Sequence, residues 1–294
     1  MRTITDNLIE MSKDIQNLLN DLLMNYSSIN FWNKNRPGDS IIIMSVSGNC
    51  AYRKLTEQGR QVQAQLLEKY RRFYEVINVL LRNQPKDTLA ELSKVNKILL
   101  NTIEQNNNTW CKNTTEALDK AVQALKMQCK LLNRLYDPFE GEVIFVPDTN
   151  ALIYNPNLES WTFLECPQFS VFLLPTVLSE LDLLKINHRN VEVRNKSESL
   201  IRRIKEYRRR GKLTTGVTVV KGRIKIQSIA IEPDMNTSLP WLDPDNKDDR
   251  ILAGVIEVMR ARPRSIVKAV SRDINFQNKA EFANIPFEEP PTTD

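Results

Sequence analysis

The sequence predicts two fold classes in series: an all-α helical bundle over residues 1–136 and an α/β domain with a mostly parallel sheet, flanked by helices, over residues 142–294. Three observations carry this. Apolar residues in the first part recur at three- and four-residue spacing, the stripe of an amphipathic helix. After Glu142, strand-like apolar runs alternate with helical patterns, which argues for strands joined by crossover helices. Between them "LYDPFEGE", residues 135–142, supplies the Pro and Gly punctuation of a linker. A chain of 294 residues is long enough for two separate cores.

In the first part, Leu8, Met11, Ile15, Leu18 and Leu22 form one stripe, widened by Leu19 and Leu23. A second helix is predicted over residues 55–82, with Val62, Leu66, Tyr70, Phe73, Ile77 and Leu80 on one face. A third follows the turn "NQPKDT" and carries Leu92, Val95, Leu99 and Ile103. After the polar run "EQNNNTW", Leu118, Val122, Leu125, Cys129 and Leu132 make a fourth. Four amphipathic helices pack most economically as a bundle. The segment "SIIIMSVSGNCAY" reads as a strand or buried extended piece without a clear place. The stripes fit an intramolecular core better than an oligomer seam, although self-association or a protein partner at this domain stays open.

In the second part, residues 143–146 and 169–174 read as strands, and "TVLSELDLLKI" as a helix after Pro175. Residues 193–210 form another helix ending at Gly211. "GVTVVKGRIKIQSIAI" reads as a hairpin turning near Lys221 and Gly222. A helix over residues 248–260, a strand over 265–270 and a helix over 274–283 complete the alternation.

The composition, 41% hydrophobic and 26% charged, is that of a soluble globular protein, and no apolar run reaches the roughly 18 residues that a membrane span needs. The first residues carry charges where a signal peptide has an apolar core, so the expected location is cytoplasmic, away from membranes. Cys50, Cys111, Cys129 and Cys166 are widely spaced and His188 is the single histidine, which excludes a Cys/His zinc site of the usual kind. Residues 189–225 hold 13 Lys/Arg against three Glu, a local balance of +10 in a chain of net +5, so the remainder is acidic. A polyanion is expected to meet the protein at that segment.

In an open parallel sheet, ligands bind outside the carboxyl ends of the strands. Asp148 ends the strand of "VIFVPDTNALIYNP" and Asp273 ends that of "SIVKAVSRD", so both should face one crevice. Asp248, at a helix start, and Glu180, one turn into another helix, can converge there. A lone Asp at a helix start is ordinarily an N-cap contributing about 0.5 to 2 kcal/mol, and for Asp248 alone capping is the better reading. Two acids at neighbouring strand ends repel each other unless a proton or a cation lies between them. Clustered carboxylates without Cys or His suit a hard ion, Mg²⁺ or Mn²⁺, and the chemistry of a metal-assisted phosphodiester hydrolysis.

These residues resemble the PIN domains, above all those fused to PhoH-type ATPases and those of RNA-decay endonucleases. The resemblance covers residues 143–286. It matches Asp148 and Asn150 in "VPDTNALIYNP", Glu180 in "LPTVLSELDLLK", Asp248 or its neighbour Asp249 in "NKDDRILA", and Asp273 with Ser271 and Asn275 in "VSRDINFQNKAEFANIP". It implies a PIN-like sheet and a Mg²⁺- or Mn²⁺-dependent endoribonuclease acting on single-stranded RNA. Asp148, Asp248, Asp273 and Glu180 would act as metal and catalytic groups, supported by Thr149, Asn150, Ser271 and Asn275. The basic helix and hairpin resemble an insertion of the PhoH-associated members, and Arg194, Arg202, Arg203, Arg208, Arg209, Arg210 and Lys212 are the candidate nucleic-acid contacts. The phosphate-loop motif of the ATPase is absent from this sequence.

A haloacid-dehalogenase-type phosphatase needs a second Asp two positions after the first, where this chain has Asn150. A non-catalytic RNA-binding scaffold that keeps a PIN fold is the competing class, and retention of all four acids favours the enzyme. Toxin, antiviral defence effector and RNA-processing factor are all compatible with the sequence.

Overall fold

The computed structural model describes residues 1–31, 50–105, 109–136, 141–164, 166–230 and 232–292. These divide into two compact units, Leu8–Arg134 and a second made of Met1–Asn7 with Leu135–Asp294. The first seven residues, read in the sequence as part of the helical domain, group with the C-terminal unit.

In the helical unit, α1 (Ile4–Asp21, beginning just before the unit) runs into a π-helical turn, Leu22–Tyr26. Two short strands follow, β1 (Ile29–Phe31) and β2 (Cys50–Tyr52), paired antiparallel. β2 is the end of the apolar segment that the sequence left unplaced; residues 40–49 of that segment lie outside the described residues. Then come α2 (Glu57–Leu81), capped by the Thr56 hydroxyl, α3 (Lys86–Glu104) and α4 (Thr114–Tyr136). Leu66, Tyr70, Phe73, Ile77 and Leu80 of α2 are buried, as are Leu92, Val95, Leu99 and Ile103 of α3, the faces that periodicity predicted.

Two stripes are turned by about one position. On α1, Ser12 is buried and Met11 half-buried. On α4, Ala117, Ala121 and Ala124 are buried while Leu118, Val122 and Cys129 are half-buried. Small side chains let neighbouring elements approach closely. Gln128 tolerates full burial because its amide donates to the Tyr70 hydroxyl, 2.9 Å, which in turn donates to Asn96, 2.8 Å.

The C-terminal unit is a six-stranded mixed sheet with helices. β3 (Val143–Pro147) leads into a short helix, α5 (Thr149–Tyr154), and β4 (Phe169–Leu173) into α6 (Pro175–Asn187). α7 (Val191–Arg210) precedes the hairpin of β5 (Val217–Val220) and β6 (Ile224–Ser228), whose turn contains Gly222 at φ +71°. α8 (Lys247–Ala261), β7 (Ile266–Val270), α9 (Ile274–Phe282) and β8 (Phe287–Glu288) close the unit.

The strand order is β5-β6-β4-β3-β7-β8, with only the β5–β6 pair antiparallel. β4 is buried along its whole length and β3 along all but its first residue, as the centre of a two-sided sheet requires. Two glycines set the packing around them. A Cβ at Gly141 would fall 1.9 Å from the Arg264 carbonyl oxygen, so the approach to β3 admits no side chain there. A Cβ at Gly254 would lie 2.6 Å from the Leu174 side chain, which brings α8 close to the chain entering α6. Among the described residues no helix is long and apolar enough to cross a membrane.

Candidate active site

The parallel pairing of β3 with β7 decides where the first acids go. Their register aligns Pro147 with Val270, so Asp148 and Ser271 leave the sheet side by side, and the Asp148 amide still donates to the Val270 carbonyl at 2.9 Å. The chain turns at once into α5 and α9. Asp148 caps α5, its Oδ1 accepting from the Ala151 amide at 2.6 Å. Asp273 caps α9, its Oδ1 accepting from Asn275 at 2.8 Å and Phe276 at 3.4 Å.

Capping and clustering are therefore not alternatives at these two positions, because Oδ1 alone caps each helix and Oδ2 is left for other partners. The cap of α8, in contrast, is Asn246, which accepts from the amides of Asp248 and Asp249, so Asp248 is free of that role.

Ser271 locks the pair of strand ends. Fully buried, it donates to Asp148 Oδ2 and accepts from the Asp273 amide at 3.0 Å. Thr149 donates to Glu180 Oε2 at 2.6 Å, and Lys247 Nζ reaches Glu180 Oε1 at 3.2 Å, which joins α6 and α8 to the same edge. Asn150 and Asn275 are exposed beside it.

Asp248 and Asp249 part company. Asp249 is buried, bound by Lys279 and by the Asp243 amide at 3.0 Å. The Asp248 carboxylate has no hydrogen-bond donor among the described residues and faces the other acids. Burial raises its carboxyl above the usual range. The charge of Asp273 raises it further, Lys279 opposes, and Glu180 and Asp249 add to the rise.

Asp148 feels the strongest strain. Burial pushes its carboxyl up to about 6; the bonds from Ser271 and Ala151 pull it down, and the charges of Asp248 and Asp273 push it back up. Burial first, and then the charge of neighbouring acids, thus hold Asp148 and Asp248 toward the protonated form, which a cation or a proton at this sheet edge would relieve.

The donor set is carboxylate oxygen without Cys or His, which fits a hard divalent ion. Among the described residues no three Asp, Glu, His or Cys side chains are grouped so as to hold a metal ion as they stand. The oxygens of Asp148, Glu180 and Asp249 already accept protein hydrogen bonds, while both oxygens of Asp248 and Oδ2 of Asp273 are open.

Four neighbours had escaped the sequence reading. Lys247 and Lys279 are the cations that face the acids. Arg272, exposed, lies over the Tyr154 ring at 3.8 Å, a cation–π pair at the ends of β7 and α5. Arg272 and Lys247 adjoin acids in "SRD" and "NKDD", the one hint that was available; nothing in the sequence links Tyr154 or Lys279 to this edge.

The basic candidates separate into two groups. Arg194 donates to the His188 carbonyl at 2.5 Å, Arg202 pairs with Glu198 at 3.1 Å, and Arg203 donates to Asn157 at 2.9 Å. Arg208, Arg209, Arg210 and Lys212 are exposed and line one groove.

No curated protein sequence matches the chain. The family model of the PIN domain matches residues 145–290, a span that contains Asp148, Glu180, Asp248 and Asp273 together with the strands and helices that hold them. The C-terminal half of the chain is thus a PIN domain.

Proposed function

We propose that the protein is a metal-dependent endoribonuclease that hydrolyses phosphodiester bonds of single-stranded RNA. The observation that carries the reading is the gathering of Asp148, Asp248 and Asp273 at the carboxyl edge of β3 and β7, where burial and then neighbouring negative charge raise the carboxyls of Asp148 and Asp248. Such an arrangement destabilises the empty fold and is relieved by a divalent cation.

In this reading Asp148, Asp248 and Asp273 hold Mg²⁺ or Mn²⁺, and a bound ion would offset charge on the scissile phosphate and on the departing oxygen. The openness of Asp248, beside the saturated Asp249, supports Asp248 as the third ligand. Ser271 fixes the Asp148 carboxylate and the turn into Asp273. Glu180, oriented by Thr149 and Lys247, accepts a proton from the attacking water. The P–O bond to water forms as the P–O3′ bond breaks, leaving a 5′-phosphate and a 3′-hydroxyl. Arg272, lying over the Tyr154 ring, contacts a substrate phosphate next to the acids.

Cleavage of oligoribonucleotides by the purified protein, with Mg²⁺, with Mn²⁺ and with EDTA, tests this directly, run beside Asp148→Asn. Equal cleavage in EDTA, or by the variant, contradicts it. A cytoplasmic setting and a role in toxin action, antiviral defence or RNA processing extend the proposal, with the helical unit as the regulatory or partner-binding part.

A further inference from the structure

The cations of α7 differ in what they face. Lys196 is paired with Glu192, Arg202 with Glu198, and Arg203 with Asn157. Lys205, Arg208, Arg209, Arg210 and Lys212 have no carboxylate partner among the described residues, and all five line one groove of about 750 Å³. Asp182 is the single acid along it, and that carboxylate is bound by Lys185. Five exposed like charges around one concavity repel one another; Arg210 lies over the Tyr207 ring at 5.3 Å, and among the described residues no carboxylate offsets any of the five. The negative end of the α7 dipole favours cations within the last turn, which covers Arg208 to Arg210 and accounts for neither Lys205 nor Lys212.

The groove walls are aliphatic, with Leu178, Ile204 and Leu213 among them, and no aromatic ring lines it. Bases therefore find nothing to stack on, while a sugar–phosphate backbone finds donors. One wall is α6, and Glu180 on the same helix turns the other way, toward Thr149 and the acids. A single helix thus has the carboxylates on one side and the free cations on the other.

We infer that this groove is an anchoring site for the backbone of single-stranded RNA, binding phosphates without regard to base, and gripping the strand away from the bond that the acids cut. The inference rests on the nuclease reading for its substrate and on the unpaired cations for its place. Its consequence is a length requirement: a strand must cross α6 to engage both sites.

The test uses full-length protein carrying Asp148→Asn, in EDTA, and measures anisotropy of fluorescein-labelled oligo-uridylate and oligo-adenylate over a salt series. Adding Arg208→Ala, Arg209→Ala and Arg210→Ala should weaken binding of both at least about tenfold and flatten the log–log salt slope by about 2, since each lost phosphate contact removes about 0.7. A charge-matched control with Lys86, Lys94 and Lys97 of α3 changed to Ala should leave the slope in place. An unchanged slope in the arginine variant, or an equal loss in the control, overturns the groove. So does preferential displacement by polyglutamate of matched charge, which would make the occupant an acidic peptide.

Binding that falls as expected while wild type cleaves no RNA with either metal leaves the groove standing and sinks the nuclease reading. With active wild type, the arginine variant should raise KM for long strands with kcat retained, and should cut the shortest substrates as wild type does.

Discussion

The two sides of α6 carry opposite versions of one device. On one side burial and then the charge of neighbouring acids raise Asp148 and Asp248 toward protonation; on the other, five cations share a groove. Elsewhere several charges are compensated locally, as in Lys120–Glu116, Arg260–Glu257 and Lys268–Glu288. Like charges gathered in one place cost stability, and in the proposed reading a cation at one site and a polyanion at the other would relieve that cost. The two differ in depth. The acids are partly buried and pay desolvation, while the cations are exposed and screened by salt.

The largest effect that separates them is expected from Asp148→Asn. It should abolish metal-dependent cleavage while raising the metal-free melting temperature at pH 7.5, because an ionised, 3% exposed carboxylate is removed. Loss of stability together with activity would mean that Asp148 is chiefly a helix cap.

A pH series sharpens the same point. The folded carboxyl of Asp148 titrates at about 6 against an ordinary 3.8, so its contribution favours folding below about 3.8 and is lost as pH rises through about 6. The shift corresponds to about 3 kcal/mol. Chemical denaturation without metal should show this decline, and both Asp148→Asn and saturating Mn²⁺ should flatten it. A wild-type profile that is flat over this range would remove the argument for a strained acid edge.

Ser271→Ala follows in size. It strips a donor from Asp148 and an acceptor from the Asp273 amide at a buried position, and should cost about 1–3 kcal/mol of stability. Metal affinity, read by calorimetry with Mn²⁺, should fall about 10- to 100-fold. Ser271→Thr restoring affinity would confirm that the hydroxyl is what matters.

The smallest effect belongs to the helical unit. Gln128 is fully buried with Oε1 unpartnered, and Gln128→Met trades its bond to Tyr70 for apolar contact, so unfolding free energy should move by less than about 1.5 kcal/mol. A larger loss would show that polar pairing, not apolar fill, specifies that core.

Much of the fold was legible in the sequence because periodicity is local. The stripes of α2 and α3, the alternation after Glu142 and the glycine turn of the β5–β6 hairpin follow from spacing alone. The turned faces of α1 and α4 were not, since whether Ala117 or Leu118 lies innermost depends on how closely a neighbouring helix approaches. β8 was missed because two residues gain strand character only by pairing with β7.

By itself the sequence determined which chemistry was available: carboxylates at strand ends and helix starts, one histidine, no metal-binding cysteine spacing, and a basic segment between Glu180 and Asp248. Only the tertiary structure decided which of those groups are free. The β3–β7 register placed Ser271 on Asp148, Lys279 and the Asp243 amide took up Asp249 and left Asp248 open, and the packing of α6 against α7 gathered Arg208 to Arg210 with Lys205 and Lys212. A charge is defined by its residue type, but whether it is compensated depends on what stands within a few ångströms of it. Residues far apart in the chain supply those neighbours.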